Sequence, residues 1–264
     1  MPYQLNLTQN NVEFVKNDYP KQIHALNQFL PIINDCIQSG VPRESLSFGG
    51  GTALAMYYLG HRKSFDIDLF INDPQCFAYF SPKHWIDDNP HIAKDYGELS
   101  HQIYFYTNDN IKIDILVRPN IDKNLLDNSK TIFNSDIYIH SVEDIIANKI
   151  IHRRNDNKPR DIFDITASID KYPNLLQSLI AKKAITANDI IELKSALQNV
   201  DMKKYTESID LVEPAKKYEN LALNAPKILV EKLNEISQTL EKNHAITKKS
   251  KISKSKKIDN EYTM

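Results

Sequence analysis

FGGGTALAMYYLGHRKSFDIDLF, residues 48–70, sets a glycine-rich turn before a short apolar helix and then places Asp66 and Asp68 one residue apart in an apolar strand. Strand side chains alternate, so the two carboxylates share one face while Phe65, Ile67 and Leu69 take the other. Two like charges on one face repel unless cations or donors compensate them, which makes the pair costly as decoration and sensible as a Mg²⁺ site. Taken alone, Asp-x-Asp would equally suit a solvent-facing edge strand; the glycine turn before it and an acid after it shift the balance. Gly49, Gly50 and Gly51 permit unusual dihedrals and close approach to a ligand, and Thr52 is a fair N-cap for a helix over residues 53–59. Free amides at such a helix start attract phosphate. Gly60 suits the end of that helix, and His61, Arg62, Lys63 and Ser64 form a basic loop leading into the aspartate strand, with Arg62 the foremost phosphate contact. The glycine run is no Walker motif, because no Gly-Lys-Ser/Thr follows it.

The acid that follows is Asp114. Residues 102–106 and 111–117 read as two strands joined by the turn Asn108-Asp109-Asn110. Ile111, Ile113, Ile115 and Val117 make one face of the second strand, and Lys112, Asp114 and Leu116 the other. If this strand lies beside the one carrying Asp66 and Asp68, three carboxylates converge, and three acids on adjacent strands can hold two Mg²⁺ ions.

A second module begins near residue 140. Ser141 with Asp144 fits a capping box, and Ile145, Ile146, Ile150 and Ile151 form a helical apolar stripe bordered by Lys149 and Arg153. Asn155-Asp156-Asn157-Lys158 is a turn, Pro159 suits the first turn of the next helix, and Ile162, Phe163, Ile165 and Ile169 give that helix its packing face. Charged residues at a helix boundary more often serve dipole and ion-pair contacts than chemistry.

These residues carry a family resemblance. Gly50-Gly51-Thr52, then Asp66-Ile67-Asp68-Leu69, then Asp114, resemble the nucleotidyltransferase signature of the DNA polymerase β superfamily. GGTAL with GHRKSFDIDLF, followed downstream by SVEDIIANKIIHRRNDNKPRDIFDI, is similar to the AbiEii/AbiGii group of nucleotidyltransferase-like toxins, over residues 20–200. The resemblance implies an α+β fold, a polymerase β-like mixed sheet flanked by helices, with a C-terminal helical domain. It implies that Asp66, Asp68 and Asp114 ligate two Mg²⁺ ions and that Asp114 helps activate the acceptor hydroxyl. Gly50, Gly51, Thr52, Arg62 and Ser64 would hold the nucleotide, and Lys149 would touch the triphosphate. Asp161 would orient Lys149 or contribute to catalysis, whereas Asp164 would cap or pair with a neighbouring cation. The implied activity is transfer of a nucleoside monophosphate from an NTP to an RNA, with tRNA favoured, or to a protein acceptor. The implied setting is the toxin of a type IV toxin–antitoxin or phage-defence pair, opposed by a separately encoded antitoxin. Two other readings stay open: transfer of AMP to a small molecule such as an aminoglycoside, and a catalytically silent NTP-binding protein.

Composition bounds the rest. The chain of 264 residues suits one catalytic domain, residues 1–139, plus a helical domain, residues 140–243, that completes the cleft. With 33 basic against 34 acidic residues, any nucleic-acid contact must come from local patches. Cys36 and Cys76 form neither a zinc spacing nor a disulfide framework, and no signal peptide or membrane-length apolar run is present, so the expected location is a reducing cytoplasm. Residues 20–39 read as an amphipathic helix through Ile23, Leu26, Phe29, Ile33 and Ile37, residues 72–98 as a surface loop or insertion around Trp85, and Thr186 with Asp189 as another capping box. Residues 244–264, rich in Lys and Ser, read as a disordered tail that either contacts RNA phosphates or only aids solubility.

Overall fold

A computed structural model describes residues 15–118, 126–128, 137–153, 155–156 and 158–238; the reading of the tail at 244–264 lies outside them. A mixed seven-stranded sheet forms the centre. Its strands are β1 (Leu46–Gly49), β2 (Ile67–Ile71), β3 (Asp95–Glu98), β4 (Gln102–Tyr106), β5 (Lys112–Val117), β6 (Leu126–Asn128) and β7 (Tyr138–His140), in the order β3-β4-β5-β2-β1-β7-β6. β2 runs parallel to β5 and β1 parallel to β7, while the remaining neighbours are antiparallel.

The alternation read in the sequence sorts the two faces. Leu46, Phe48, Ile67, Leu69, Ile71, Ile103, Phe105, Ile113, Ile115 and Ile139 are all buried, and paired positions place them on one side. Helix α1 (Pro20–Gln38) supplies Leu26, Phe29 and Ile33 to this core, with the Phe29 ring 4.9 Å from that of Phe105. Each such side chain contributes about 1.5–3 kcal/mol when fully buried, so this face alone can anchor the sheet. The opposite face is thereby free to carry charge.

Residues 72–98 are not the surface loop that their prolines suggest. Short 3₁₀ turns at Pro74–Phe80 and Pro82–His84 fold Phe80 and Trp85 into the core, where the Trp85 ring meets Phe29 at 5.7 Å and Phe105 at 5.3 Å. The missed signal is the aromatic spacing, which proline content overrode.

Helix α2 (Gly50–Ala53) follows β1 directly and continues as a π-helix through Leu54–Leu59. After the sheet come α3 (Val142–Arg153), α4 (Pro159–Lys171), α5 (Leu175–Ala181), α6 (Ala187–Gln198), α7 (Met202–Ile209) and α8, residues 219–238. Thr186 and Asp189 form the full capping box. Ser141 and Asp144 form half of one: the Ser141 hydroxyl accepts from the Asp144 amide, but the Asp144 carboxylate is drawn to Arg118 and His140. Among the described residues no helix is long and apolar enough to cross a membrane.

Candidate active site

Strand register lines up Gly49, Asp68, Asp114 and Tyr104 across β1, β2, β5 and β4. Residues paired across a sheet share a face, so Asp68 and Asp114 stand side by side on the polar side. Asp66 lies just before β2, not in it, and its charge acts on Lys112. The Asp68 carboxylate lies against Gly50, whose φ is +70°; a Cβ there would come within 1.8 Å of Asp68 Oδ2. Asp114 is buried, and both its oxygens are engaged: Gln102 Nε2 donates to Oδ1 at 2.7 Å and Lys112 Nζ to Oδ2 at 2.8 Å. Burial alone would lower the pKa of the Lys112 ammonium, but the hydrogen bond and charge of Asp114, with Tyr106 and Asp66 adding to them, raise it instead. With Asp68 turned to Gly50 and Asp114 to Lys112, no three acidic, His or Cys side chains are gathered for an ion among the described residues. The donors themselves are hard carboxylate oxygens beside a cradle that any Cβ would fill, and that chemistry fits Mg²⁺.

Gly50→Ala is therefore expected to lose about 1–2 kcal/mol from the left-handed backbone alone and to displace Asp68 as well. Thermal melting and a transfer assay would both fall; an unaltered protein would mean that the Asp68 carboxylate does not need this place.

Thr52 is not the helix N-cap. The helix opens three residues earlier than residue 53, at Gly50, with Gly49 in the capping position and no side chain capping it. The buried Thr52 hydroxyl bonds instead to the carbonyl of Asp66 and to the Ser64 hydroxyl, the latter at 2.7 Å. Thr52 and Ser64 thus fasten the helix to the chain entering β2, which fixes where the acids begin. The helix ends at Gly60 in the left-handed conformation, φ 57°, as glycine there requires.

The basic loop that follows is not open to solvent at its first two residues. His61 and Arg62 are buried, and both turn to Asp164 on α4: His61 Nε2 lies 2.6 Å from Oδ1, Arg62 Nε donates to Oδ1 at 2.6 Å and Nη2 to Oδ2 at 3.0 Å. Lys149 on α3 joins them, 2.9 Å from Asp164 Oδ2 and 2.5 Å from Asp161 Oδ1. Burial would raise the Asp164 pKa, but Arg62, Lys149 and His61 hold it well below the usual carboxylate range. The Arg62 guanidinium also covers Gly51, where a Cβ would meet Nη2 at 2.3 Å. Lys149 and Asp161 are thereby brought together, and Arg62 links them to the glycine helix. Arg62 itself is occupied by Asp164.

The same loop is gripped from both ends of the chain. Tyr19 Oη donates to the Arg62 carbonyl at 2.8 Å, and Gln22 Nε2 to the Ser64 carbonyl at 2.8 Å. The Lys63 amide donates to the Glu213 carbonyl at 3.1 Å and the Ala215 amide to the His61 carbonyl at 2.8 Å. Sequence reasoning placed His61 in the basic loop near phosphate, whereas the structure turns it to Asp164; it singled out none of Tyr19, Gln22 and Lys112 as site residues, and of these only Lys112 left a local signal, being two residues from Asp114 on the same face.

A second polar network flanks Gly49. His140 Nδ1 lies 2.7 Å from Asp144 Oδ2 and its Nε2 2.7 Å from the Ser47 hydroxyl oxygen, while Arg118 binds Asp144 through both terminal nitrogens at 2.6 and 2.7 Å. Burial lowers the pKa of both His61 and His140, more than Asp164 or Asp144 restores it. Both are therefore neutral when folded, and the unfolded chain binds their protons more readily. Stability is fully present above the unfolded histidine pKa and is lost as pH falls below it, by up to about 1.4 kcal/mol per histidine per pH unit under about 6.5. The melting temperature should drop between pH 7 and 5.5, before the carboxylates titrate; a flat profile across that window would contradict the neutral assignment.

A mixed sheet with Asp68 and Asp114 in register beside a glycine-opened helix, and a buried lysine on the C-terminal helices, is the arrangement that the nucleotidyltransferase resemblance leads one to expect. The family model of the nucleotidyl transferase AbiEii toxin, a type IV toxin–antitoxin component, matches residues 37–235. The chain belongs to that family. JHP933 from Helicobacter pylori shares the fold at a TM-score of 0.50, with 17% identity over 93% of this chain and 100% of that one. A candidate nucleotidyltransferase from Helicobacter pylori aligns at a TM-score of 0.47, with 18% identity over 89% of this chain and 98% of that one. No functionally curated protein matches.

Proposed function

We propose that this toxin-family nucleotidyltransferase uses Mg²⁺ to move a nucleoside monophosphate from an NTP to a hydroxyl of an RNA acceptor, with tRNA favoured. The observation that carries this reading is the placement of Asp68 and Asp114 in register beside Gly50. The acceptor oxygen bonds to the α-phosphorus, the bond from that phosphorus to the β-phosphate bridge breaks, and pyrophosphate leaves with the electron pair. Asp66, Asp68 and Asp114 would hold Mg²⁺, which would supply activation of the hydroxyl and charge neutralisation of the pyrophosphate. Gly50 and Gly51 let backbone amides approach the triphosphate, and Lys149, held by Asp161 and Asp164, adds positive charge to it. Asp114 accepts the hydroxyl proton. Lys149 on α3, held by Asp161 and Asp164 of α4, would belong to the helical domain read over residues 140–243, completing the cleft of the catalytic domain read over residues 1–139. The separately encoded antitoxin opposes the activity in the cell.

Purified protein incubated with each labelled NTP and total tRNA, beside Asp66→Ala and Asp114→Ala, tests the proposal. Label is expected on RNA with the unmodified protein and not with the variants. No labelled macromolecule, or equal labelling by the variants, would overturn it.

A further inference from the structure

Lys112 places a positive charge among the acids. Its Nζ lies 2.8 Å from Asp114 Oδ2, Gln102 holds the other Asp114 oxygen, and Asp68 stands in register with Asp114 across β2 and β5. A divalent ion needs those same carboxylate oxygens as ligands. An ammonium and a dication on one carboxylate repel each other at contact range, so the ion must displace the lysine or bind more weakly beside it. Resting on the reading of Asp66, Asp68 and Asp114 as the cation-holding acids, we infer that Lys112 is a resident counter-cation that restrains metal binding at Asp114 until a nucleoside triphosphate enters. Cation loading is thereby coupled to nucleotide.

Two features make the exchange feasible. The Lys112 side chain is 24% exposed, so it can leave Asp114 without unpacking the core. It also has a second partner, the Tyr104 ring, whose centroid is 5.1 Å from Nζ. That ring lies over Gly97 on β3, where a Cβ would stand 2.4 Å from it; the glycine keeps the ring flat against the sheet edge and its face available to the ammonium. The incoming triphosphate brings negative charge that attracts both cations, drawing the ammonium off the carboxylate as the metal arrives.

Isothermal titration with Mn²⁺, with and without an α,β-methylene NTP analogue, tests this on the full chain. The unmodified protein should bind Mn²⁺ weakly alone and about tenfold or more tightly with the analogue present. Lys112→Met, which keeps the stem and removes the charge, should bind Mn²⁺ alone about tenfold more tightly than the unmodified protein and gain little from nucleotide. Equal or weaker Mn²⁺ binding by Lys112→Met would overturn the role of Lys112; Lys112→Gln repeats the measurement if the methionine variant melts early. Asp114→Asn separates the two readings. If it abolishes Mn²⁺ binding while Lys112→Met changes nothing, only the lysine inference fails; if it binds Mn²⁺ as the unmodified protein does, the acid-cluster reading fails and takes the inference with it.

Discussion

Asp164→Asn is expected to destabilise the protein by about 3–5 kcal/mol, the usual result of removing one partner of a buried ion pair. Asp164 is wholly buried, and three side chains converge on its two oxygens: His61, Arg62 and Lys149. Asparagine keeps the shape but turns an NH₂ group, which cannot accept, toward side chains that donate to this position, and it removes the negative charge that Arg62 meets in a desolvated place. Lys149 retains Asp161 and so suffers less. For a chain of this size the loss corresponds to a melting temperature lower by about 6–20 °C, measurable by circular dichroism. A shift of a degree or two would mean that water reaches the cluster and that its burial is not what holds the loop. Activity should fall with it, because Arg62 lies over Gly51 and would no longer be fixed there.

Asp68→Asn should behave in the opposite way: nucleotidyl transfer lost by about 10³-fold or more, with the melting temperature unchanged or raised. Asp68 stands in register with Asp114, so the two charges oppose each other in the folded state, and the amide removes that repulsion without changing shape. A residue whose loss harms chemistry and spares stability is the signature of a functional position. Labelled-NTP incorporation measured beside a thermal melt gives both readings from one preparation. Retained transfer with an unaltered melt would remove Asp68 from the chemistry.

The contrast between these two aspartates also marks what the chain reveals locally. Asp68 is legible because its neighbours alternate: two-residue periodicity puts it on the face opposite Ile67 and Leu69, while its company with Asp114 hangs on the two strands being neighbours, as their register makes them. Gly60 and the Thr186 capping box are legible for the same reason, each being decided within a few residues. Asp164 is not. Its partners His61 and Arg62 lie 103 and 102 residues away, and nothing in the spacing of either segment names the other; in sequence Asp164 reads only as a helix residue that pairs with some cation. Trp85 is hidden in another way, since prolines on either side suggest a solvent loop whereas packing against Phe29 and Phe105 decides its place. Thr52 is misread because a threonine after glycines has the composition of a cap, while its hydroxyl is claimed by groups twelve and fourteen residues later.

The wide turn at Leu54–Leu59 has a consequence for how this segment tolerates change in length. A π-helix carries more residues per turn than regular α geometry, and here it closes on Gly60, whose amide reaches the Ala55 carbonyl at 2.9 Å. The extra residue held by a π turn is one that ordinary helix can do without, so deleting a single residue here would restore i→i+4 closure and leave Gly60, with His61 and Arg62 behind it, near their present places. Adding a residue has no such outlet: each helical residue accounts for about 100° of rotation, and the guanidinium of Arg62 would be carried away from its carboxylate. An in-frame loss of one codon is therefore the tolerable change in this segment, and a gain of one the damaging change.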